Sequence, residues 1–456
     1  MAHSNTNDLT RGGITPALLR FAFPMMLGNL LQQVYNIADT LIVGRYIGKE
    51  ALAAVGSSYT LMTFLNSILL GLCMGSGTMI SVYYGKRNFG RMQQGVFLSF
   101  VLIGGLTLLL NGAVFLGLDP IMRFLSAPAE VYEMMRSYLW TVFWGIGFIF
   151  LYNYFASIQR AVGNSSAALL FLAASTVGNI FLDILFVLVF KRGVAGAAEA
   201  TVAAQIFAGV GISVYTAVKF PEFRVAREYR KWDGSVAKEL FRLSFLTSVQ
   251  QSVMNFGILL VQGLVNSFGA VVMAAFAAAV KIDSFAYMPV QDFGNAFSTF
   301  VAQNHGAGQR DRIKKGIRSA GISVLIFCVV ISAGVWIFAE NLLLIFVKPE
   351  ETAVLAAGVQ YLRVEGAFYC LIGFLFLFYG YFRAVERPAV SVVLTVISLG
   401  TRVGLAYALS AVPGIGVTGI WMSVPIGWFL ADAAGAACLS GLFCRSAVRI
   451  GDGQTD

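Results

Sequence analysis

Two carboxylates sit where apolar sequence surrounds them. Asp39 lies in QQVYNIADTLIVGRYIG among Gln32, Gln33, Tyr35, Asn36 and Thr40, and Asp183 lies in VGNIFLDILFVLVF with Asn179 four residues earlier. On a helix that spacing puts Asn179 and Asp183 on one face. A charge inside an apolar span costs on the order of 3 kcal/mol, so each acid needs a reason. Snorkelling at a helix end or a structural hydrogen bond to a neighbour would supply one, but Asp183 stands midway along its run and reads as functional. The Asn/Asp pair offers hard oxygen ligands to a small cation such as Na⁺, and an acid from another helix would complete the site. Alternatively, two close carboxylates share one proton, because like charges in a low dielectric resist ionising together. Either arrangement is a cation switch. Glu199 is a shallower acid of the same half, and Gln33, Tyr35 and Asn36 are candidates to line a substrate cavity. Farther along, Lys281 with Asp283 reads as a rim ion pair, and Asp292 as either a cavity residue that contacts cations or a structural group. Glu365 and Arg402 are further charges in apolar surroundings.

The elements that hold these residues follow from composition. Of 456 residues, 58% are hydrophobic and only 12% charged, against about 25% charged in a soluble domain. With a mean hydropathy of +0.76 the chain lacks the charge to coat a water-facing surface and reads as a membrane protein. Charge-free runs and Gly, Pro or polar breaks place twelve spans near 16–45, 51–83, 92–118, 130–160, 166–190, 194–218, 239–267, 272–304, 313–339, 352–383, 388–411 and 417–443. Runs this long without a period of two exclude a barrel, so the class is an all-α polytopic membrane protein. The net charge of +9 does not mark a nucleic-acid binder, because the basic residues fall in short loops between spans. Lys86, Arg87 and Arg91, then Lys219 to Lys231, then Arg310 to Arg318 lie on one side with Arg11, Arg20, Arg445 and Arg449. The opposite loops are poorer in Lys and Arg, so both termini are expected in the cytoplasm of a cell (inner) membrane. The apolar stretch after the polar start carries Arg20, Pro24 and Asp39, unlike a cleavable signal, so the N-terminus is expected to be retained. Cys73, Cys328, Cys370, Cys438 and Cys444 read as free, buried thiols.

The segment 219–238 is the only long polar stretch within the chain, and it separates two halves that resemble each other. At a shift of 221, Gly48, Ala53, Ala54, Gly85, Arg91 and Gly95 fall on Gly269, Ala274, Ala275, Gly306, Arg312 and Gly316. At a shift of 223, Tyr138-Leu139, Arg160-Ala161-Val162 and Gly193-Val194 fall on Tyr361-Leu362, Arg383-Ala384-Val385 and Gly416-Val417. Six spans per half return the chain to the same side, so the repeat is parallel, a pseudo-twofold about the membrane normal. The expected division is an N-terminal tail at 1–15, a six-helix lobe at 16–218, a cytoplasmic linker at 219–238, a second lobe at 239–444 and a C-terminal tail at 445–456. Two such lobes with a cavity between them are a transporter design.

Other motifs mislead. Gly414-Ile-Gly416-Val-Thr-Gly419 fits GxGxxG but joins two spans instead of opening a βαβ unit, and no P-loop exists. Gly71-x-x-x-Gly75 reads as internal helix packing. Asn164-Ser165-Ser166 is a sequon on the expected cytoplasmic side, where it would stay unmodified. His3 and His305 have no partners at metal-ligand spacing, and no nucleophile elbow occurs, so the chain is not read as an enzyme and needs no cofactor.

Twelve spans in two lobes, Pro24 and Asp39 in span one, QRAVGN at 159–164 and the Asn179/Asp183 pair resemble the multidrug and toxic compound extrusion (MATE) transporters. The likeness is nearest to the bacterial branch that includes DNA-damage-inducible F proteins and runs over essentially the whole chain. It implies a first-lobe cation site of Asp39, Asn179, Asp183 and Thr201, with Tyr138 and Asn153 lining the same lobe. It also implies a secondary antiporter that exports lipophilic, often cationic compounds in exchange for Na⁺ or H⁺. The expected partners are the bilayer and small-molecule substrates, with no nucleic acid, and the chain is expected to be a monomer. The repeat maps Asp39, Asn179, Asp183 and Thr201 onto Leu260, Arg402, Ala406 and Val424, so the second lobe cannot copy this site. Span seven offers Gln250 and Gln251 where another branch has an acid. A flippase for lipid-linked saccharides would want a strongly cationic cavity, and intramembrane Arg is sparse here; a receptor or channel fits the two-lobe repeat less well.

Overall fold

The computed structural model describes residues 8–124 and 130–451. His3 and the last five positions lie outside the described residues. Among the described residues fifteen α-helices follow one another: α1 (Ile14–Tyr46), α2 (Lys49–Gly85), α3 (Phe89–Leu116), α4 (Leu118–Phe124), α5 (Tyr132–Phe143), α6 (Ile146–Ala161), α7 (Ser165–Asp183), α8 (Gly193–Lys219), α9 (Gly234–Asn266), α10 (Ala270–Gly306), α11 (Arg310–Leu343), α12 (Thr352–Gly366), α13 (Tyr369–Ala384), α14 (Pro388–Ser410) and α15 (Val417–Gly451). Among the described residues ten helices are each long and apolar enough to cross a membrane, and the bent pairs α5/α6 and α12/α13 bring the number to as many as twelve. Short polar caps start several of them. Asn88 accepts the Arg91 amide at the head of α3, Asn164 of the sequon accepts the Ala167 amide at the head of α7, and Asp233 accepts the Val236 amide at the head of α9.

The spans expected at 130–160 and 352–383 are each a bent pair of helices. They bend by 46° at Trp144-Gly145 and by 50° at Ala367-Phe368. No proline marks either bend, which is why the hydrophobic pattern alone reads through them. At the first, the Trp144 and Gly145 amides reach back only three residues, to Thr141 and Val142, and a Cβ at Gly145 would collide with Gln205 Oε1 of α8. At the second, Phe368 N–H donates to the Glu365 carbonyl in the same way. The two bends are repeat mates.

The backbone repeats where the sequence does. Positive φ recurs at Gly48 and Gly269, Arg87 and Gly308, Gly163 and Glu386, and Gly193 and Gly416. Packing repeats too, with the residue types exchanged: Gly77 lies on Ser157 in one half, and Gly380 lies on Ser298 in the other.

The chain divides into two compact units, Met1–Ser252 with Thr299–Gly316, and Val253–Ser298 with Ile317–Asp456. In the first, α2 is the most enclosed span, 78% of its apolar window being buried against 28% for α1, α3, α7 and α8. Gly71 and Gly75 explain part of this. A Cβ at either would collide with the α9 backbone at Ser248 and Ser244, so the small-xxx-small motif is indeed internal packing. The less enclosed helices turn large apolar side chains outward, among them Leu108, Leu109, Val177 and Phe181, as lipid-facing surfaces do. Segment 219–238 buries Phe220 and Phe223 and turns through two short 3₁₀ helices. In the second unit, Phe276 stacks on Trp421 with Tyr361 edge-on to both.

The cysteines depart from expectation. Cys73 and Cys328 are buried and free, but Cys370 is half-buried and Cys438 exposed, a placement a small apolar thiol tolerates on a lipid-facing helix side. The Cys444 side chain lies outside the described residues.

Candidate cation and substrate site

Within the first unit, α1, α7 and α8 pack together, and α5 contacts α8. This brings four of the sequence-selected residues into one place. Asp39 comes from the last third of α1, Asn179 and Asp183 from the last turns of α7, and Thr201 from the third turn of α8, all buried. In the amide orientation that satisfies both ends, Asn179 Nδ2 donates to Asp183 Oδ2 at 2.8 Å and Asn179 Oδ1 accepts from the Thr201 amide at 3.2 Å. Tyr35, one turn before Asp39, places its hydroxyl 3.2 Å from Thr201 Oγ1. Tyr138 of α5 is buried among Val43, Val55, Val142 and Val187, and its hydroxyl is within electrostatic reach of both acids.

The acids themselves are under-satisfied. Asp39 Oδ1 and Asp183 Oδ1 are both buried and accept no hydrogen bond. The two carboxylates also interact electrostatically with each other. A pair of orphaned carboxylate oxygens beside an amide and two hydroxyls is a donor set that suits a hard cation, and it equally suits one shared proton. Turning the Asn179 carbonyl toward such a cation would break its bonds to Asp183 and to the Thr201 amide. Among the described residues no group of three or more His, Cys, Asp or Glu exists, so a site for a soft transition metal is absent there.

One feature of this site was not legible in the sequence. Directly after Asp183 the helix widens into a π turn, Ile184–Val189. Such turns disturb the regular ladder and recur at functional positions. Nothing in the composition of ILFVLV signals it.

Other candidates fall elsewhere. Gln33 and Asn36 lie one to two turns from Asp39, with Asn36 Nδ2 donating to Gln33 Oε1 at 3.3 Å. The Asn153 amide is turned onto its own helix, donating to the Ile149 carbonyl at 3.0 Å. Glu199, near the start of α8, pairs with Arg192 at 2.8 Å, with both side chains partly exposed. Asp292 is buried in α10 of the second unit. The rim pair expected for Lys281 and Asp283 does not form: Lys281 is exposed with its Nζ 5.6 Å from the Phe346 ring centre, whereas Asp283, two residues on, turns inward.

Asp283 belongs to a second buried cluster. Tyr361 donates to its Oδ2 at 2.6 Å and Tyr369 donates to its Oδ1. Glu365 is buried beside it, and Arg402 is within electrostatic reach of both acids. Tyr361 is the repeat mate of Tyr138 and Arg402 that of Asn179, a correspondence that the shift of 223 makes available from sequence. Asp432, by contrast, was missed by the sequence reading; in α15 both its carboxylate oxygens are buried without hydrogen bonds.

Comparison with known proteins agrees with the geometry. The sequence profile of the MatE family matches residues 24–185 and 244–408, one match in each half. The chain is 31% identical over 430 residues to the probable multidrug resistance protein YpnP of Bacillus subtilis (strain 168), covering 94% of this chain and 95% of that protein. It superimposes on a MOP superfamily transporter from Pyrococcus furiosus with a TM-score of 0.91 at 22% identity, covering 98% of this chain and 100% of the other. An outward-facing multidrug resistance MATE family transporter of the MOP superfamily gives a TM-score of 0.90 at 22% identity over 100% of both chains. The chain therefore belongs to the MATE family, and it is a multi-pass membrane efflux transporter with the two-lobe fold, not an enzyme.

Proposed function

We propose that this transporter is an antiporter that exports lipophilic, often cationic compounds in exchange for Na⁺ or H⁺ by alternating access. The observation that carries this reading is the pair of orphaned buried oxygens on Asp39 and Asp183, beside Asn179 and Thr201. An unneutralised acid pair buried in a span is costly, so the site favours whichever cation reaches it. Binding must differ between the two conformations, because a ligand shifts an equilibrium only by its differential affinity, about 1.4 kcal/mol per tenfold. Asp39 and Asp183 would take the cation. Asn179 and Thr201 would supply neutral oxygens that Na⁺ needs and a proton does not. Gln33, Tyr35, Asn36 and Tyr138 would meet the exported compound from the same lobe. The charge bias of the loops supports both termini, and the linker 219–238, on the cytoplasmic side of the cell membrane. The relatives' description as multidrug resistance proteins supports broad substrate acceptance.

Competition on purified protein tests the reading. The affinity for a fluorescent lipophilic cation such as ethidium should fall when Na⁺ or protons are raised, and Asp183→Asn should remove that dependence. Unchanged affinity across both titrations in the wild type would count against a shared cation switch. Membrane-impermeant labelling of single cysteines in the linker of intact cells tests the orientation, and strong labelling from outside would overturn it.

A further inference from the structure

The residues that precede α1 are gripped by residues from three other places in the same unit: the end of α2, the end of α10 and the start of α11. Leu9 is fully buried; its amide donates to Gln303 Oε1 at 3.2 Å, and its carbonyl accepts from Asn304 Nδ2 at 3.2 Å and from Arg312 Nη2 at 3.1 Å. Arg312 also donates to the Arg11 carbonyl and the Gly12 carbonyl, each at 2.8 Å. Asp8 closes the grip at the other side, where Arg87 Nη2 donates to its Oδ2 at 2.5 Å. Gln303 in turn donates to the Ala161 carbonyl at the end of α6 at 2.7 Å. These partners stand at the ends of α2, α6 and α10 and the start of α11. There α2 and α10 cross backbone to backbone: a Cβ at Gly85 would collide with the Gln303 carbonyl, and one at its repeat mate Gly306 with the Val82 carbonyl.

Two observations mark this as a built feature. Arg87 sits at φ +57, a left-handed conformation that strains any side chain, whereas its repeat mate Gly308 takes the same turn at φ +70 without strain. The position that grips Asp8 thus keeps an arginine where the other half uses glycine. In addition, the repeat mate of Arg312 does a related job: Arg91 donates to Ser235 Oγ at 3.3 Å in the first turn of α9, and Gln94 of the same helix donates to the Lys231 carbonyl just before it. Each half begins with a segment held by the arginine that opens a later span. Apart from the buried Leu9 and Thr10 the contacts are hydrogen bonds and one partly exposed ion pair to Arg87, which water can replace at small net cost.

Resting on the alternating-access reading above, we propose that Asp8–Gly13 is a releasable latch. It holds the cytoplasmic end of α1, the helix that carries Asp39, and lets go once in each transport cycle. Arg312, Gln303 and Asn304 are its positioning residues.

Hydrogen exchange on the full-length transporter in proteoliposomes tests it, with ethidium efflux recorded on the same sample. The peptide that contains Leu9 and Thr10 should be protected at rest and exchange at least tenfold faster during efflux, and Arg312→Gln should raise the resting exchange. Joining Asp8→Cys to Arg87→Cys with a short reducible bis-methanethiosulfonate, in a background without the five native cysteines, should cut efflux at least tenfold, and reductant should restore it. Unchanged protection during measured efflux, or full efflux by the joined protein, overturns the latch and leaves alternating access standing. Efflux that responds to neither an Na⁺ nor a pH gradient overturns the reading beneath it, and the latch with it.

Discussion

The Asp39/Asp183 pair of the first half and Asp283 of the second are buried acids satisfied in opposite ways. In the first, Asp39 Oδ1 and Asp183 Oδ1 have no donor, and their neighbours are an amide and the hydroxyls of Tyr35 and Thr201. In the second, Asp283 receives a hydroxyl on each oxygen, from Tyr361 and Tyr369, and Arg402 supplies a resident positive charge. The repeat makes the contrast sharper, since Asn179 becomes Arg402 and Asp183 becomes Ala406. An acid that lacks donors needs an exchangeable cation, whereas one saturated by tyrosines beside a fixed guanidinium does not. On the proposed cation-switch reading, exchange is expected at the Asp39/Asp183 pair and not at Asp283.

The largest effect should come from Asp39→Asn, which keeps the shape but removes an ionisable group the switch needs. Efflux and resistance in cells should fall at least tenfold, equivalent to about 1.4 kcal/mol or more of coupling, with membrane insertion unchanged. Full resistance in that variant would remove Asp39 from the mechanism. Asp183→Asn should weaken both Na⁺-driven and pH-driven efflux, and transport at the wild-type rate would take α7 out of the account. Asn179→Ala should separate the two ions, lowering Na⁺-driven efflux more than pH-driven efflux; equal losses would argue for a proton alone.

The second half supplies the control. Asp283→Asn leaves two tyrosines with an altered acceptor in a buried setting, so thermal stability should drop by about 1–3 kcal/mol while the ion dependence of efflux per folded molecule stays the same. A changed ion dependence with intact stability would dissolve the contrast between the halves. The smallest effect concerns Asp8, outside the spans. Burial pushes its carboxyl up, but hydrogen bonds from Thr10 and the Arg87 guanidinium outweigh this and hold it below the ordinary carboxylate value. A depressed native value means that its contribution to stability is complete above the unfolded value, near 3.9, and is lost as pH falls through the lower native value. Asp8→Asn should thus flatten the acid limb of a pH–stability curve by less than about 1 kcal/mol, as exposed pairs do.

Much of this was legible in residue types. Apolar runs and their breaks located the spans, because lipid leaves the backbone no alternative to helices; the break before Gly269, for example, lies between α9 and α10 as expected. The i, i+4 relation of Asn179 and Asp183 was readable for the same reason. Three features were not. The bends at Trp144-Gly145 and Ala367-Phe368 carry no proline, and the close approach of Gln205 to Gly145 at the first is a tertiary contact. The π turn after Asp183 has no compositional mark. The inward turn of Asp283 depends on tyrosines 78 and 86 residues away, a tertiary fact that proximity to Lys281 concealed.

Ethidium efflux from proteoliposomes, with Na⁺ and pH gradients imposed separately on wild type and Asp39→Asn, tests the central claim most directly. Wild type should accelerate under at least one inward cation gradient, and Asp39→Asn should respond to neither. A variant that follows either gradient like the wild type, or a wild type indifferent to both, would contradict a first-half cation switch.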